Sequence, residues 1–194
     1  RRAGMDMVAE IDRVQAEAQI FHLNRLYGML SKVNTSILRI RETDELYRQL
    51  CRIAVEEGRF RMAWIGLVDP ATNKVVHAYS YGDTGGYLDS ITIIAADVPE
   101  GMGPTGRAIR EGRTMICSDV EYDPIMLPWK DRALKQGFRS AAAIPLRLGG
   151  SVIGAFTIYA ETPQFFTDEE LELLVSLADN ISFAINAMSN KKMR

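Results

Sequence analysis

At 194 residues, 47% hydrophobic and 25% charged, the chain has the size of one well-buried domain with helix to spare, and is too short for two full domains. A net charge of −2 gives no electrostatic case for nucleic acid or an anionic membrane, since both call for clustered basic surface. Two cysteines, Cys51 and Cys117, exclude a disulfide framework and a CxxC metal or redox motif, and they suit a reducing cytosol.

Residues 5 to 40 contain no proline and repeat apolar positions at helical spacing. Met7, Ile11, Val14, Ala18 and Phe21 recur at steps of four and three; after a two-residue shift, Leu23, Leu26, Leu30, Val33, Ile37 and Ile40 continue the alternation. This is a heptad-like seam with one discontinuity near Phe21 to Leu23. At ~1.5 Å per residue such a helix runs roughly 50 Å, longer than one domain needs. Thr43 is then expected to cap a second helix with acids in its first turn, which Gly58 ends.

The middle of the chain changes to strand chemistry. RMAWIGLVD (61–69) and KVVHAYSYG (74–82), joined by a short turn, predict an antiparallel hairpin. SITIIAA (90–96) predicts a third strand and TMICS (114–118) a short fourth. SAAAIPLRL (140–148) and SVIGAFTIYA (151–160) predict a second hairpin around Gly149 and Gly150, interrupted or bulged at Pro145. PTGRAIREG and PWKDRALKQG predict two short helices, each opening with proline in its first turn and closing at glycine. The last segment predicts a long helix behind a capping box of Thr167 and Glu170. Its row Leu171, Leu174, Ala178, Ile181, Ile185 and Met188 would cover the domain, and a second row is free for a partner helix. No apolar run of about 18 residues and no signal peptide is visible, so no membrane insertion is expected, and a cytoplasmic location is. The chain starts without Met and stops inside a helical pattern, which reads as a piece of a longer protein.

GMGPTGRAIREG (101–112) matches G-x-G-x-x-G at Gly101, Gly103 and Gly106. A dinucleotide fingerprint needs a buried strand running straight into the first glycine. Here D-V-P-E intervenes; Asp97 and Glu100 would repel a pyrophosphate and Pro99 breaks the strand. The glycines are therefore read as shaping a turn into a short helix. The unpaired N–H groups at that helix start favour a polar ligand edge, which makes Thr105 a candidate pocket residue or a local hydrogen-bonding one. C-S-D-V-E-Y-D-P-I-M-L-P-W offers Asp119, Asp123 and Trp129. The two carboxylates are better read as bonding their own loop than as a metal or acid/base pair. Trp129 either stacks on a ring ligand or fills the pocket. His22 and His77 have no local partners that suggest a triad or a metal site, so no metal and no cofactor are expected.

Taken in order, F-R-M-A-W-I-G-L-V-D, G-P-T-G-R-A-I-R-E-G, I-C-S-D-V-E-Y-D-P, S-A-A-A-I-P-L-R-L-G-G-S-V-I-G-A-F-T-I-Y-A and F-F-T-D-E-E-L-E-L-L closely resemble a GAF domain over residues 41 to 188. R-L-Y-G-M-L-S-K-V-N-T-S-I-L-R-I is similar to the helix leading into such domains in bacterial diguanylate cyclases, cyclic-di-GMP phosphodiesterases and histidine kinases. The resemblance implies an α+β fold: an antiparallel six-stranded sheet with helices on one face, a ligand pocket on the other, and long N- and C-terminal helices that pair two copies. It implies a linker helix over 1–40, the domain over 41–188, and the start of a helix to an effector domain in cis over 189–194. It places Arg139 and Ser140 where family members often make ligand contacts, and it borders the pocket with the helix of Thr105.

The departures are as informative. Methionine-sulfoxide-reducing relatives use a set of pocket cysteines that two cysteines do not supply. Bilin-binding relatives place a Cys beside a His, whereas Ser118 and Asp119 follow Cys117. The N-K…F-x-x-x-D-E signature of cyclic-nucleotide binders fails on spacing at Phe165 to Glu169. The expectation is a non-catalytic, dimeric sensor of an unidentified small molecule, with Thr105, Asp119, Trp129, Arg139 and Ser140 as candidate ligand-binding residues. The alternative is a ligand-free structural dimerisation module.

Overall fold

The two strand hairpins and the segment between them meet in one sheet. A computed structural model describes residues 2–82 and 85–193. Five strands, β1 (Met62–Val68), β2 (Val75–Gly82), β3 (Met115–Cys117), β4 (Ser140–Leu148) and β5 (Ser151–Ala160), form an antiparallel sheet in the order β2-β1-β5-β4-β3. The expected six strands are thus five among the described residues. SITIIAA does not join the ladder: it makes one isolated bridge, Lys74 with Ile94. Ile93 O and the Ala95 N–H bond the Val75 N–H and Asn73 O at that bridge, but the pairing goes no further, because the Ile94 N–H donates to Glu100 O and Thr92 O accepts from the Trp129 indole. Pro145 stays inside β4, paired with Ala155, and the irregularity falls one step later between Leu146 and Arg147. β3 ends opposite Ala143, so on that side no ladder partner stands opposite the proline.

Alternation along the strands gives the sheet two different faces. Ala63, Ile65, Ala142, Ile144, Leu146, Phe156, Ile158 and Ala160 pack against α1 (Arg2–Ile37), α2 (Thr43–Glu56) and α5 (Asp168–Lys192). Met62, Trp64, Ala141 and Tyr159 face the opposite way, into a second cluster with Tyr87, Met126, Trp129 and Phe138. α3 (Pro104–Glu111) covers that second face beside Ala143 and Ala155, and α4 (Lys130–Lys135) follows a short 3-10 turn at Pro124–Met126. Helices therefore lie on both faces of the sheet rather than on one. Pro104 does open α3, and Gly112, at φ 66, closes it. α4 instead begins two residues after Pro128, and Thr43 is the first helical residue of α2, with Glu42 at the cap and no side-chain cap bond.

α5 begins at the expected capping box: Thr167 and Glu170 bond reciprocally. By length and composition it is apolar enough to cross a bilayer. Here Leu174, Leu177, Ile181, Ala184, Ile185 and Met188 spend that apolar face in the core.

α1 divides into two halves. Residues 2 to 18 are exposed throughout, while Leu26, Met29 and Val33 are buried against the domain. Docking begins at the discontinuity read in the sequence. His22 stacks on Phe165 with ring centroids 4.2 Å apart. The buried guanidinium of Arg25 donates to Gly58 O and Arg59 O, pairs with Glu161 at 3.2 Å, and lies over the Phe60 and Phe165 rings. Further along, Asn180 bonds Asn34 at 2.9 Å and Lys192 meets Glu42 at 2.6 Å. These contacts advance in step, so α1 and α5 run parallel.

Candidate functional site

Period-two alternation in β1 and β5 puts Trp64, Thr157 and Tyr159 on the face away from the long helices, and these side chains make a floor. Tyr87, Ile93, Met126, Trp129 and the start of α3 close over it. The rings interlock: Phe138 stacks on Tyr159 at 4.6 Å, and Tyr87 meets Phe138 and Tyr159 edge-on at 5.2 and 5.8 Å. What remains is a cavity of ≈ 10 Å³, room for about one water molecule. Ligand pockets commonly measure ~300–1,000 Å³, so this one is shut by its own side chains.

The polar groups of the site are satisfied internally. Thr105 Oγ1 and Thr157 Oγ1 lie 2.7 Å apart in a buried bond. Trp64 Nε1 donates to the Tyr159 hydroxyl at 3.4 Å, and Trp129 Nε1 to Thr92 O at 3.1 Å. Burial pushes the Tyr159 phenol up to about 12, and burial also raises Tyr87. Cys117 sits in the same cluster; burial first, then the charge of Asp123, pushes its thiol up to about 12, so it is protonated at neutral pH. Among the described residues, Arg139 Nε and Glu170 Oε1 are buried polar atoms without partners, and neither lines the cavity.

The glycines of 101–106 now have a physical reason. A Cβ on Gly103 would stand 2.5 Å from the Trp129 ring, and one on Gly106 2.7 Å from Gly101 O. The carbonyls of Ala96 and Gly101 accept from the Arg110 guanidinium at 2.7 and 3.0 Å. The loop is closed on its own residues, with Trp129 lying against Gly103. Outside it lies an open groove of ≈ 580 Å³ between Asp97, Val98, Pro99 and Met102 on one wall and Pro124, Ile125, Leu127 and Pro128 on the other. Chain neighbours of Met126, Trp129 and Gly103 line this groove, so it is the outer side of the same closure.

Of the five candidate residues, the structure brings Thr105 and Trp129 together at the cavity. Asp119, Arg139 and Ser140 stand apart from it. Asp119 Oδ1 accepts from the Glu121 N–H at 3.0 Å, and Arg139 reaches Glu121 at 3.1 Å and Asp119 at 3.7 Å. Ser140 is buried and donates to Thr162 O at 2.7 Å. Asp123 accepts from the Ile125 N–H, capping the turn that leads to Trp129. Reading the sequence missed Trp64, Tyr87, Thr157 and Tyr159. The alternation F-T-I-Y along 156–159 could have found two of them, since Thr157 and Tyr159 share the face that Phe156 and Ile158 do not. Among the described residues no group of three or more His, Cys, Asp or Glu side chains is arranged to hold a metal ion.

Against known proteins, a family model described as GAF domain matches residues 41–186. No curated protein matches the chain. Among solved structures, free methionine-R-sulfoxide reductase from Neisseria meningitidis, in complex with its substrate, is 20% identical with a TM-score of 0.67, covering 86% of this chain and 91% of that one. The GAF domain of a phosphoenolpyruvate-protein phosphotransferase from Coxiella burnetii is 16% identical at a TM-score of 0.66, covering 89% and 99%. A domain of a two-component sensor histidine kinase protein from Sinorhizobium meliloti is 19% identical at 0.57, covering 80% and 98%. At these identities the likeness is one of fold. It nevertheless corrects the expectation of a non-catalytic chain: enzymes share this fold, and a sparse set of cysteines and histidines is no ground for denying it catalysis.

Proposed function

The chain belongs to the GAF domain family, regulatory small-molecule-binding modules of signalling proteins, and from that premise we propose that it is a sensing and pairing module. It pairs with a second copy through its terminal helices, admits a small, largely apolar molecule to the aromatic pocket, and passes the pocket's state to an effector domain in cis. That effector is of the diguanylate cyclase, phosphodiesterase or histidine kinase type.

The observation that carries this reading is the half of α1 that stands clear of the domain with its apolar side exposed: Met7, Ile11, Val14 and Phe21 are each more than half exposed. Large apolar side chains in a regular row on a free helix are a pairing surface. Phe183 of α5, 76% exposed, extends the apolar surface on the terminal helices. The sheet supplies the relay, since β1 and β5 carry pocket residues on one face and helix-packing residues on the other. A ligand shifts the module only if it binds one helix arrangement better than another. The closure of the pocket sets the requirement: Tyr87, Met126 or Trp129 must move for anything larger than water to enter.

That same closure favours a second reading, a structural pairing module whose pocket stays filled by its own rings. Thermal-shift screening separates the two, using purines, aromatic amino acids, small amines and free methionine-R-sulfoxide, with product analysis of every compound that binds. A stabilising compound that also alters hydrogen exchange in α1 and α5 supports sensing. Absence of binding across the panel supports the structural module, and turnover of a bound compound overturns both.

A further inference from the structure

A groove of ≈ 550 Å³ runs between the start of α5 and the stretch of α1 that meets it, and it shares no residue with the aromatic cavity. One wall is α1, with Gln15, Ala18, Gln19 and His22; the other includes the first turn of α5, with Asp168, Glu169 and Glu170. From this groove we infer a second binding site, for a small organic cation: an alkyl chain carrying primary ammonium groups, one of them on Glu170 Oε1.

Glu170 carries the argument. It is 0% exposed, and its Oε2 accepts from the Thr167 N–H at 3.3 Å and from the Thr167 hydroxyl. Its Oε1 is buried with no hydrogen-bond partner. The capping box explains the first oxygen and leaves the second unexplained. A carboxylate taken out of water is costly unless its remaining lone pairs are met. The neighbouring bases do not meet them. Arg25 is committed to Gly58 O, Arg59 O and Glu161. His22 is stacked on Phe165, and burial outweighs the pull of Glu170 and Glu161, which keeps its imidazole below its ordinary value and neutral at pH 7.

Charge fixes the sign of the ligand. Asp168 and Glu169 are exposed beside Glu170, and no lysine or arginine lines the groove. The helix N-terminus contributes roughly half a positive charge, which does not offset three carboxylates. The single free oxygen then selects the kind of cation. A guanidinium is a planar fork that matches both oxygens of a carboxylate, and Oε2 is already taken; an ammonium is a point donor that one oxygen serves. A divalent metal ion needs several ligands together, and among the described residues no group of three His, Cys, Asp or Glu is arranged to supply them. Ala18 and Pro163 offer apolar contact to the methylenes, and Gln15, Gln19 and Gln164 carry amide oxygens on the same walls. From Gln15 to His22 the α1 wall runs roughly 10 Å at ~1.5 Å per residue, the length of a linear di- or triamine. Bound there, the cation bridges α1 to α5 where docking of α1 begins.

Isothermal titration calorimetry of the 194-residue chain at pH 7.5 and low salt tests this with spermidine, against magnesium chloride. The variants are Glu170→Gln, which keeps a capping-box residue, and Ala18→Lys, at an exposed position whose new ammonium reaches the same wall. Circular dichroism checks that both fold. The expected result is one spermidine per chain, with affinity weakened about tenfold or more in Glu170→Gln, the loss of one charge-assisted bond. Ala18→Lys should abolish binding and slow hydrogen exchange in residues 15–22. Thr105→Val should leave spermidine binding unchanged, which separates this site from the aromatic cavity. No saturable binding at millimolar spermidine, unchanged affinity in Glu170→Gln or Ala18→Lys, or displacement by an equal concentration of magnesium overturns the proposal. So does loss of binding in Thr105→Val, which would assign the amine to the cavity.

Discussion

Thr105 and Thr157 test whether the pocket is internally satisfied. Their hydroxyls lie 2.7 Å apart, both residues are buried, and each is the other's side-chain partner. Thr105→Val or Thr157→Val removes one hydroxyl at nearly constant shape and leaves the other buried without a partner, a loss of about 1–3 kcal/mol for each single variant. The double variant has no orphan, so its cost falls to about 0.5–1.5 kcal/mol, the net worth of one such bond. Urea unfolding followed by tryptophan fluorescence measures this. With m about 2–3 kcal/mol/M, the single variants shift the midpoint down by roughly 0.3–1.5 M and the double variant by less than their sum. A double-mutant cycle that closes additively would refute the reasoning, because it would mean that each hydroxyl has another partner once its neighbour is gone.

Trp129→Ala removes the ring against Gly103 and leaves Thr92 O unpaired. It should cost about 3–5 kcal/mol and create a cavity that indole fills, raising the melting temperature of the variant but not of the parent. Arg25→Met strips the buried Gly58 carbonyl of its donor, at about 1–3 kcal/mol, and frees the part-buried Arg59 carbonyl, and it should make the N-terminal half of α1 more sensitive to limited proteolysis. For His22, burial is the largest cause holding the imidazole below its ordinary value; Glu170 and Glu161 pull upward and Arg25 downward. The unfolded chain then binds more protons than the folded one in this range. The His22 contribution to stability is therefore complete above about pH 6.5 and declines as pH falls below it. Midpoints measured from pH 7.5 to 5 should fall less in His22→Gln than in the parent, and identical profiles would count against the half-buried, neutral imidazole.

How much of this was legible in the sequence depends on how local the physics is. Strand alternation and turn glycines marked β1, β2, β4 and β5, and the seam discontinuity at Phe21 to Leu23 marked where α1 begins to dock at His22 and Arg25. SITIIAA looked like a strand because its residues favour one, but only one bridge beside β2 forms, and Glu100 and Trp129 claim the neighbouring backbone groups from outside the segment. Asp119 was a candidate as a carboxylate in a loop and Arg139 through the family resemblance, yet they meet each other and Glu121. Tyr87, Trp129 and Tyr159 lie far apart in the chain, so no local pattern announces that their rings close one cavity.

Pairing through the free half of α1 is the claim on which sensing and relay both depend. Sedimentation equilibrium of the chain and of an Ile11→Glu, Val14→Glu variant measures it directly, since both substitutions fall on exposed positions and leave the folded domain intact. The account expects a dimer for the parent and a monomer of unchanged circular dichroism for the variant. A parent that stays monomeric at high micromolar concentration, or a variant that still dimerises, would contradict it.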